Sequence, residues 1–236
     1  MSNKITSWSF SRYITYVQCP LKAKLKFIDK LKEPGSPAMD RGDAIHKMAE
    51  AYIKGTLAKL PPELSNFRIE FSMLRKQYKK KINGMVVEDT WAFTKAWDET
   101  QWNDWIGCWV RIKLDLAHHE TPEAMVITDW KTGKFREEDT QDYEEQLELY
   151  ALAALLLHEH VTEVYPRLGY TDQGFFWPDV PKKFTRADIE PLKKLWAKRT
   201  KKMLTDTTFA PKPNSKCKWC HFRKANAAAG GGQCKF

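Results

Sequence analysis

The chain of 236 residues has room for one domain with additions, since single domains commonly run to roughly 100–200 residues or somewhat beyond. Hydrophobic residues at 42% and 10 tryptophans exclude a disordered chain, although 29% of the residues are charged. A net charge of +9 favours a polyanionic partner, nucleic acid first. The basic residues bunch. Arg75, Lys76, Lys79, Lys80 and Lys81 fall in a stretch without acids, six more lie between Lys193 and Lys202, and another six between Lys212 and Phe236. No N-terminal run reads as a secretory leader and no segment approaches the roughly 18 apolar residues of a membrane span, so the expectation is a cytoplasmic protein with no membrane partner. In that reducing setting the five cysteines are not expected to form disulfides, and the clustered ones read as metal or cluster ligands.

In chain order, Ser9 to Val17 reads as a helix broken at Pro20, and Ala38 to Ile53 as a second closed by Gly55. Pro61 and Pro62 open a third, whose Leu64, Phe67, Phe71, Leu74 and Tyr78 recur at helical spacing. Met85 to Glu88 reads as a short strand. From Ile106 to Leu116 every second residue is apolar, a half-buried strand that sets Trp109, Arg111, Lys113 and Asp115 on the other face. A turn over His118 to Pro122 leads to a second strand, Met125 to Lys131, making a hairpin on which Asp129 and Lys131 share one side. A helix from Thr140 to Glu159 follows, with Leu147, Tyr150, Ala151, Ala154 and Leu155 as its buried stripe. Glu163 to Tyr170 and Gly174 to Trp177 read as strands, and Thr185-x-x-Asp188 caps a last amphipathic helix. There is no internal repeat, and the only low-complexity stretch is Ala227 to Gly232. The expectation is therefore a single domain over 1–236, with a helical part to 83, a sheet and helix over 84–180, and a last helix with a cysteine-rich segment over 181–236.

Asp115 on one strand and Asp129-x-Lys131 on the next would converge carboxylates and an ammonium, the set that phosphodiester hydrolysis wants. Carboxylate oxygens bind Mg²⁺ or Mn²⁺, and a lysine orients water or stabilises the crowded phosphorus. Asp-x-Lys alone is weak, because a strand-end Asp with a nearby Lys is commonly a solvated edge device. The ordered set carries more. Ser9-x-Ser11 with Cys19-Pro20, Gly42-x-x-x-His46, Asp115, Asp129-Trp-Lys131-Thr-Gly-Lys134, Gln146-x-x-x-Tyr150 and Cys217-x-x-Cys220 follow one another from Ser9 nearly to the end. Together they resemble the RecB-like PD-(D/E)XK nucleases, in particular the iron-sulfur branch of AddB-type nuclease ends and CRISPR-associated and phage exonucleases.

The resemblance implies an α/β (α+β) fold with a restriction-endonuclease-like core, a central mixed sheet flanked by helices, an N-terminal helical part and a C-terminal iron-sulfur segment. It implies His46, Asp115 and Asp129 as ligands of Mg²⁺ or Mn²⁺, Lys131 as the catalytic lysine, and Gln146 and Tyr150 as DNA contacts near the site, Tyr150 reading otherwise as core. Glu88 corresponds to an extra acid of some members. The implied activity is a metal-dependent deoxyribonuclease, an exonuclease of recombination, repair or phage genome processing, working in a bacterial or phage-infected cell beside a recombinase, annealing protein or helicase. Ile112 departs from the pattern, which often has Gly three residues before the first Asp.

Cys217-x-x-Cys220 with Cys234 nearby is a metal-ligand signal, and the fourth ligand must come from afar. The resemblance supplies Cys19 and a 4Fe-4S cluster. Zinc on the same thiolates, with His221 able to replace one, is the alternative. Cys220 and Cys234 stand wider apart than in the pattern, so a flexible insertion has to loop back. Cys108 reads as core. Trp91, Trp97, Trp102, Trp105 and Trp109 crowd one stretch, of which Trp102 and Trp105 have polar neighbours suited to base stacking. Two rival readings remain, a non-catalytic nucleic-acid-binding module with a zinc or iron-sulfur centre, and an iron-sulfur redox protein. The intact His46, Asp115, Asp129 and Lys131 set weighs against both.

Overall fold

The computed structural model describes residues 3–81 and 84–236, so the expected boundary at 83 lies outside the described residues. The chain divides into two compact units, one of residues 1–35 with 195–236 and one of residues 36–194.

The first unit opens with α1 (Phe10–Gln18) and α2 (Pro20–Phe27). Ser9 caps α1 by accepting from the Arg12 N–H, and Pro20 starts α2 at a position whose N–H has no helical partner to lose. Cys19 is the extended residue between them.

The second unit begins with α3 (Pro37–Lys54), capped by Ser36 and ended by Gly55 at φ 87°, a left-handed turn that favours glycine. A 3-10 turn (Pro62–Phe67) leads into α4 (Arg68–Lys79). Ile45, Ala49 and Ile53 of α3 pack with Leu64, Phe67, Phe71 and Leu74 on Val87, Leu116 and Trp130 of the sheet. These apolar stripes hold α3 and α4 to one sheet face.

The sheet contains β1 (Val86–Phe93), β2 (Val110–Thr121), β3 (Ala124–Lys131), β4 (Glu163–Tyr170), β5 (Phe175–Trp177) and β6 (Phe184–Thr185). Its order is β1-β2-β3-β4-β5, with β6 also pairing β4. β3 and β4 are parallel and the other pairs antiparallel. The parallel step is bridged by α5 (Thr140–Leu157), as a parallel crossover requires. The fold is thus mixed α/β, a central sheet flanked by helices.

Three details differ from the sequence reading. β2 starts at Val110 rather than Ile106, because the Asp104 carboxylate accepts from the Ile106 and Gly107 N–H groups and diverts them from the ladder. Ile106 is consequently fully exposed. The expected turn over His118 to Pro122 is mostly strand: His118 pairs with Val126 and His119 with Met125, and Pro122 sits in the tight turn where no N–H is needed. α5 is buried on more than a stripe, since Leu149, Leu152 and Ala153 are enclosed as well. β2, β4 and β6 all touch it.

The Thr185/Asp188 capping box forms over a 3-10 turn (Arg186–Asp188) that feeds α6 (Ile189–Thr205). From Leu195 onward the chain belongs to the first unit. There Trp196 stacks on Trp8 at 5.2 Å, with Tyr13 edge-on at 5.5 Å. Two 3-10 turns, Ser215–Trp219 and Lys224–Ala229, complete this unit. Among the described residues no helix is long and apolar enough to cross a membrane.

Candidate active site

The register of the sheet gathers the acidic residues. Val87 pairs with Leu116 and Asp89 with Leu114, which brackets Glu88 opposite Asp115. Leu116 pairs with Thr128 on the other side, and the next step of that register brings Asp115 beside Asp129. Asp115 is fixed by accepting the Trp130 N–H on Oδ2 at 2.8 Å. Its Oδ1 faces His46 Nδ1 of α3 at 3.2 Å, and Glu88 Oε1 lies 3.6 Å from the same nitrogen. His46, Glu88 and Asp115 each present one ligand atom within 4.8 Å of the others. Glu88 stands at φ 53° in mid-strand, a conformation that costs a non-glycine residue about 1–2 kcal/mol. That kink carries its carboxylate to His46.

Asp129 belongs to a second cluster on the same cleft. Its Oδ2 meets Lys131 Nζ at 2.7 Å, and its Oδ1 accepts from the Tyr150 hydroxyl at 2.7 Å and from Gln146 Nε2 at 3.3 Å. Gln146 closes the ring, accepting from Lys131 Nζ at 3.0 Å and donating to the Tyr150 oxygen at 2.8 Å. Gln146 and Tyr150 are one turn apart on α5, as the sequence reading requires. Tyr150 is only 5% exposed and its hydroxyl donates to Asp129, while the residue still lines the cleft. Gln146 is half-buried.

Electrostatics follow from burial and crowding. Burial, with the neighbouring charge of Asp129, pushes the Asp115 carboxyl above its ordinary range. Burial opposes a charge on His46, but the Asp115 and Glu88 carboxylates outweigh it and raise its pKa to about 10. Burial also works against the Glu88 carboxylate, and His46 together with Lys113, whose Nζ is 2.9 Å away, holds its pKa below normal. Burial and the charges of Asp129 and Asp115 raise the Tyr150 phenol well above its usual value, which keeps it a neutral donor. The pattern is a dense acidic cluster whose charge is offset by cations, an environment that suits a divalent ion bound by oxygen and imidazole.

These groups open on a cleft of about 440 Å³ lined by Asp43, His46, Lys47, Glu50, Glu88, Lys113, Asp115, Asp129 and Tyr150. Asp43, Lys47 and Glu50 were absent from the sequence reading, although their spacing with His46 puts all four along one flank of α3. The turn after β3 is braced from α3. Asp172 accepts a bidentate pair from Arg41 at 2.6 and 2.9 Å and the Gly133 N–H at 2.7 Å. A methyl group on Gly42 would approach Thr132 Oγ1 to 3.4 Å, so this glycine lets the helix lie close to the Asp129-Trp-Lys131-Thr segment.

Within the first unit Cys19, Cys217, Cys220 and Cys234 all line one cavity of about 50 Å³, with Leu21, Leu25 and Phe222 among its walls. The Asn214 N–H donates to Cys217 Sγ at 3.3 Å, and Asn214 Nδ2 holds the Gln18 carbonyl at 3.0 Å beside Cys19. The interval between Cys220 and Cys234 is a built turn rather than a loose insertion. Asn226 Nδ2 binds the Cys220 carbonyl at 3.0 Å, the Gly231 N–H returns to the Asn226 carbonyl at 2.9 Å, and the Cys234 N–H reaches the Phe222 carbonyl at 2.8 Å. A methyl group on Gly231 would sit 2.0 Å from the His221 carbonyl oxygen, so no other residue fits there without movement. Cys108 is buried as read, but just before β2, with its thiol toward the Val110 carbonyl.

The family model for the PD-(D/E)XK nuclease superfamily matches residues 7–225. No curated protein matches the chain in sequence. Among solved structures, the "putative exonuclease" from Eubacterium rectale is similar over 94% of this chain and 88% of its own, at 12% identity and TM-score 0.50. SSO0001 is similar over 94% of this chain and 86% of its own, at 14% identity and TM-score 0.45.

Proposed function

Because the chain belongs to the PD-(D/E)XK nuclease superfamily, whose members use divalent metals, we propose that it is a Mg²⁺- or Mn²⁺-dependent DNA nuclease acting at DNA ends. The observation that carries this reading is the convergence of His46, Glu88 and Asp115 within 4.8 Å, beside the Lys131–Asp129 pair. His46, Asp115 and Asp129 are the metal ligands expected from the resemblance, and Glu88, the extra acid of some members, stands within reach of His46 and Asp115. A bound divalent ion would acidify water and offset charge on the phosphate.

The remaining work falls to the chain. Water adds to phosphorus, the bond to the leaving ester oxygen breaks, and that oxygen takes up a proton. Lys131, held between Asp129 and Gln146, presents its ammonium where negative charge grows on the phosphoryl oxygens. Tyr150 and Gln146 fix the Asp129 carboxylate, so that little reorganisation is needed when substrate arrives. Gln146 is the better placed of the two to meet DNA.

The four-cysteine cavity supports a 4Fe-4S cluster that ties the two ends of the sequence together, with zinc as the rival. Cytoplasmic work in recombination, repair or phage genome processing, beside a recombinase, annealing protein or helicase, fits this activity.

The test is nucleotide release from end-labelled single- and double-stranded DNA with Mn²⁺, Mg²⁺ or EDTA. Metal-dependent degradation should disappear in Lys131→Ala and Asp129→Ala while both stay folded. A wild type that binds DNA and never cuts it would return the binding-module reading.

A further inference from the structure

Of the five tryptophans between Trp91 and Trp109, Trp91, Trp97 and Trp109 are buried, whereas Trp102 is 38% and Trp105 78% exposed. The two exposed rings are not on a loose loop. The Asp104 carboxylate between them accepts from the Gly107 N–H at 2.7 Å, the Thr100 hydroxyl at 2.9 Å and the Ile106 N–H at 3.1 Å. A methyl group on Gly107 would strike Asp104 Oδ2 at 2.4 Å, so the turn is built around a glycine. The Arg111 guanidinium lies 5.9 Å from the Trp102 ring centre and 4.9 Å from that of Trp105. Its Nε donates to the Trp102 carbonyl at 2.9 Å, which locks loop and strand together.

Arg111 is also in line with the acidic cluster. The β1–β2 register runs without a shift from Val110 to Ala117, so Arg111, Lys113 and Asp115 project from one face of β2. From Arg111 to Asp115 is roughly 13 Å along the strand. A stacked nucleic-acid strand advances about 3.4 Å per nucleotide and a drawn-out one further, so this interval spans roughly two to four nucleotides. The exposed Lys113 ammonium lies between them on the same face.

We infer that Trp105, with Trp102 and Arg111, forms a stacking platform for unpaired bases of a strand whose reacting phosphate lies at Asp115 and Asp129. The chemistry matches the ligand at each point. Indole faces take any base without reading its edge, and the guanidinium adds a cation beside an anionic backbone. The platform gives the nuclease a preference for single strands or frayed ends, because a base in a duplex has no free face to offer. This inference rests on the nuclease reading for the position of the phosphate.

The experiment measures anisotropy of a labelled oligothymidylate and of an abasic strand of equal length, in EDTA, against wild type, Trp105→Ala and Trp105→Phe. Wild type should prefer the thymidylate over the abasic strand by roughly tenfold. Trp105→Ala should lose most of that preference with unchanged affinity for the abasic strand, and Trp105→Phe should recover part of it. Equal preference in wild type and Trp105→Ala overturns the inference. So does a wild-type dimer that Trp105→Ala makes monomeric with DNA binding intact, which would make the patch a self-association surface. Hydrolysis of bis(nitrophenyl) phosphate with Mn²⁺, a substrate too small to reach the platform, should be equal in wild type and Trp105→Ala. If wild type cleaves neither this ester nor DNA, the nuclease reading fails, and the binding comparison still decides the platform.

Discussion

Tyr150→Phe removes one oxygen from the interior of the site and leaves the shape of α5 intact. Tyr150 is 5% exposed, and its hydroxyl donates to Asp129 Oδ1 at 2.7 Å while accepting from Gln146 Nε2 at 2.8 Å. Without it Asp129 Oδ1 keeps only the longer contact to Gln146 at 3.3 Å. A hydrogen bond to a charged group contributes about 1.5–3 kcal/mol. If that energy serves to hold Asp129 in its reacting position, kcat falls by roughly ten- to 150-fold. KM for DNA should stay within about twofold, because the hydroxyl is used inside the protein. The assay is steady-state degradation of a labelled strand under saturating Mn²⁺, with circular dichroism to check that the variant is folded. A variant with normal kcat and a raised KM would refute the reasoning and restore Tyr150 as a DNA contact.

The cysteine cavity and the first unit make two further predictions. On the proposed 4Fe-4S reading, Cys217→Ala should lose iron and sulfide together; removing a long-range tie worth about 3 kcal/mol lowers Tm by roughly 6–12 °C at this size, while turnover of the folded fraction changes little. Loss of colour with unchanged Tm would oppose a structural role. Asp206 accepts from Tyr16 at 2.6 Å and from the Thr208 and Phe209 N–H groups, and these bonds outweigh the opposing effect of burial and lower its pKa from 3.8 to about 2. A depressed carboxyl stabilises the fold above its unfolded pKa and loses that contribution as pH falls from 3.8 through about 2. The urea midpoint of Asp206→Asn should therefore lie below wild type at neutral pH and converge on it near pH 2, and a gap that persists in acid would contradict the assignment.

Much of the site was legible because its parts sit on regular elements. A strand period of two places Asp129 and Lys131 on one face, and a helix period puts Gln146 above Tyr150, so local pattern sufficed for those pairs. The direction of Trp102 and Trp105 outward was also readable from their polar neighbours. What escaped depends on competition between groups. Alternating apolar residues from Ile106 onward look like strand, yet the Asp104 carboxylate takes the N–H groups that the ladder would need. His118 and His119 look like a turn by polarity, but pairing with Val126 and Met125 keeps them in the sheet.

Glu88 shows the limit most clearly. The resemblance made it a candidate acid, but period-two alternation says nothing about a left-handed φ of 53° in mid-strand. That backbone is unfavourable by itself and persists only where its surroundings over-determine it. His46 from α3 and Lys113 from β2 both bind the displaced carboxylate. A conformation that local preference disfavours is thus held by the residues that face the cleft. This ties the strain of β1 to the gathering of His46, Glu88 and Asp115 in one place, beside Asp129, which Tyr150, Gln146 and Lys131 hold.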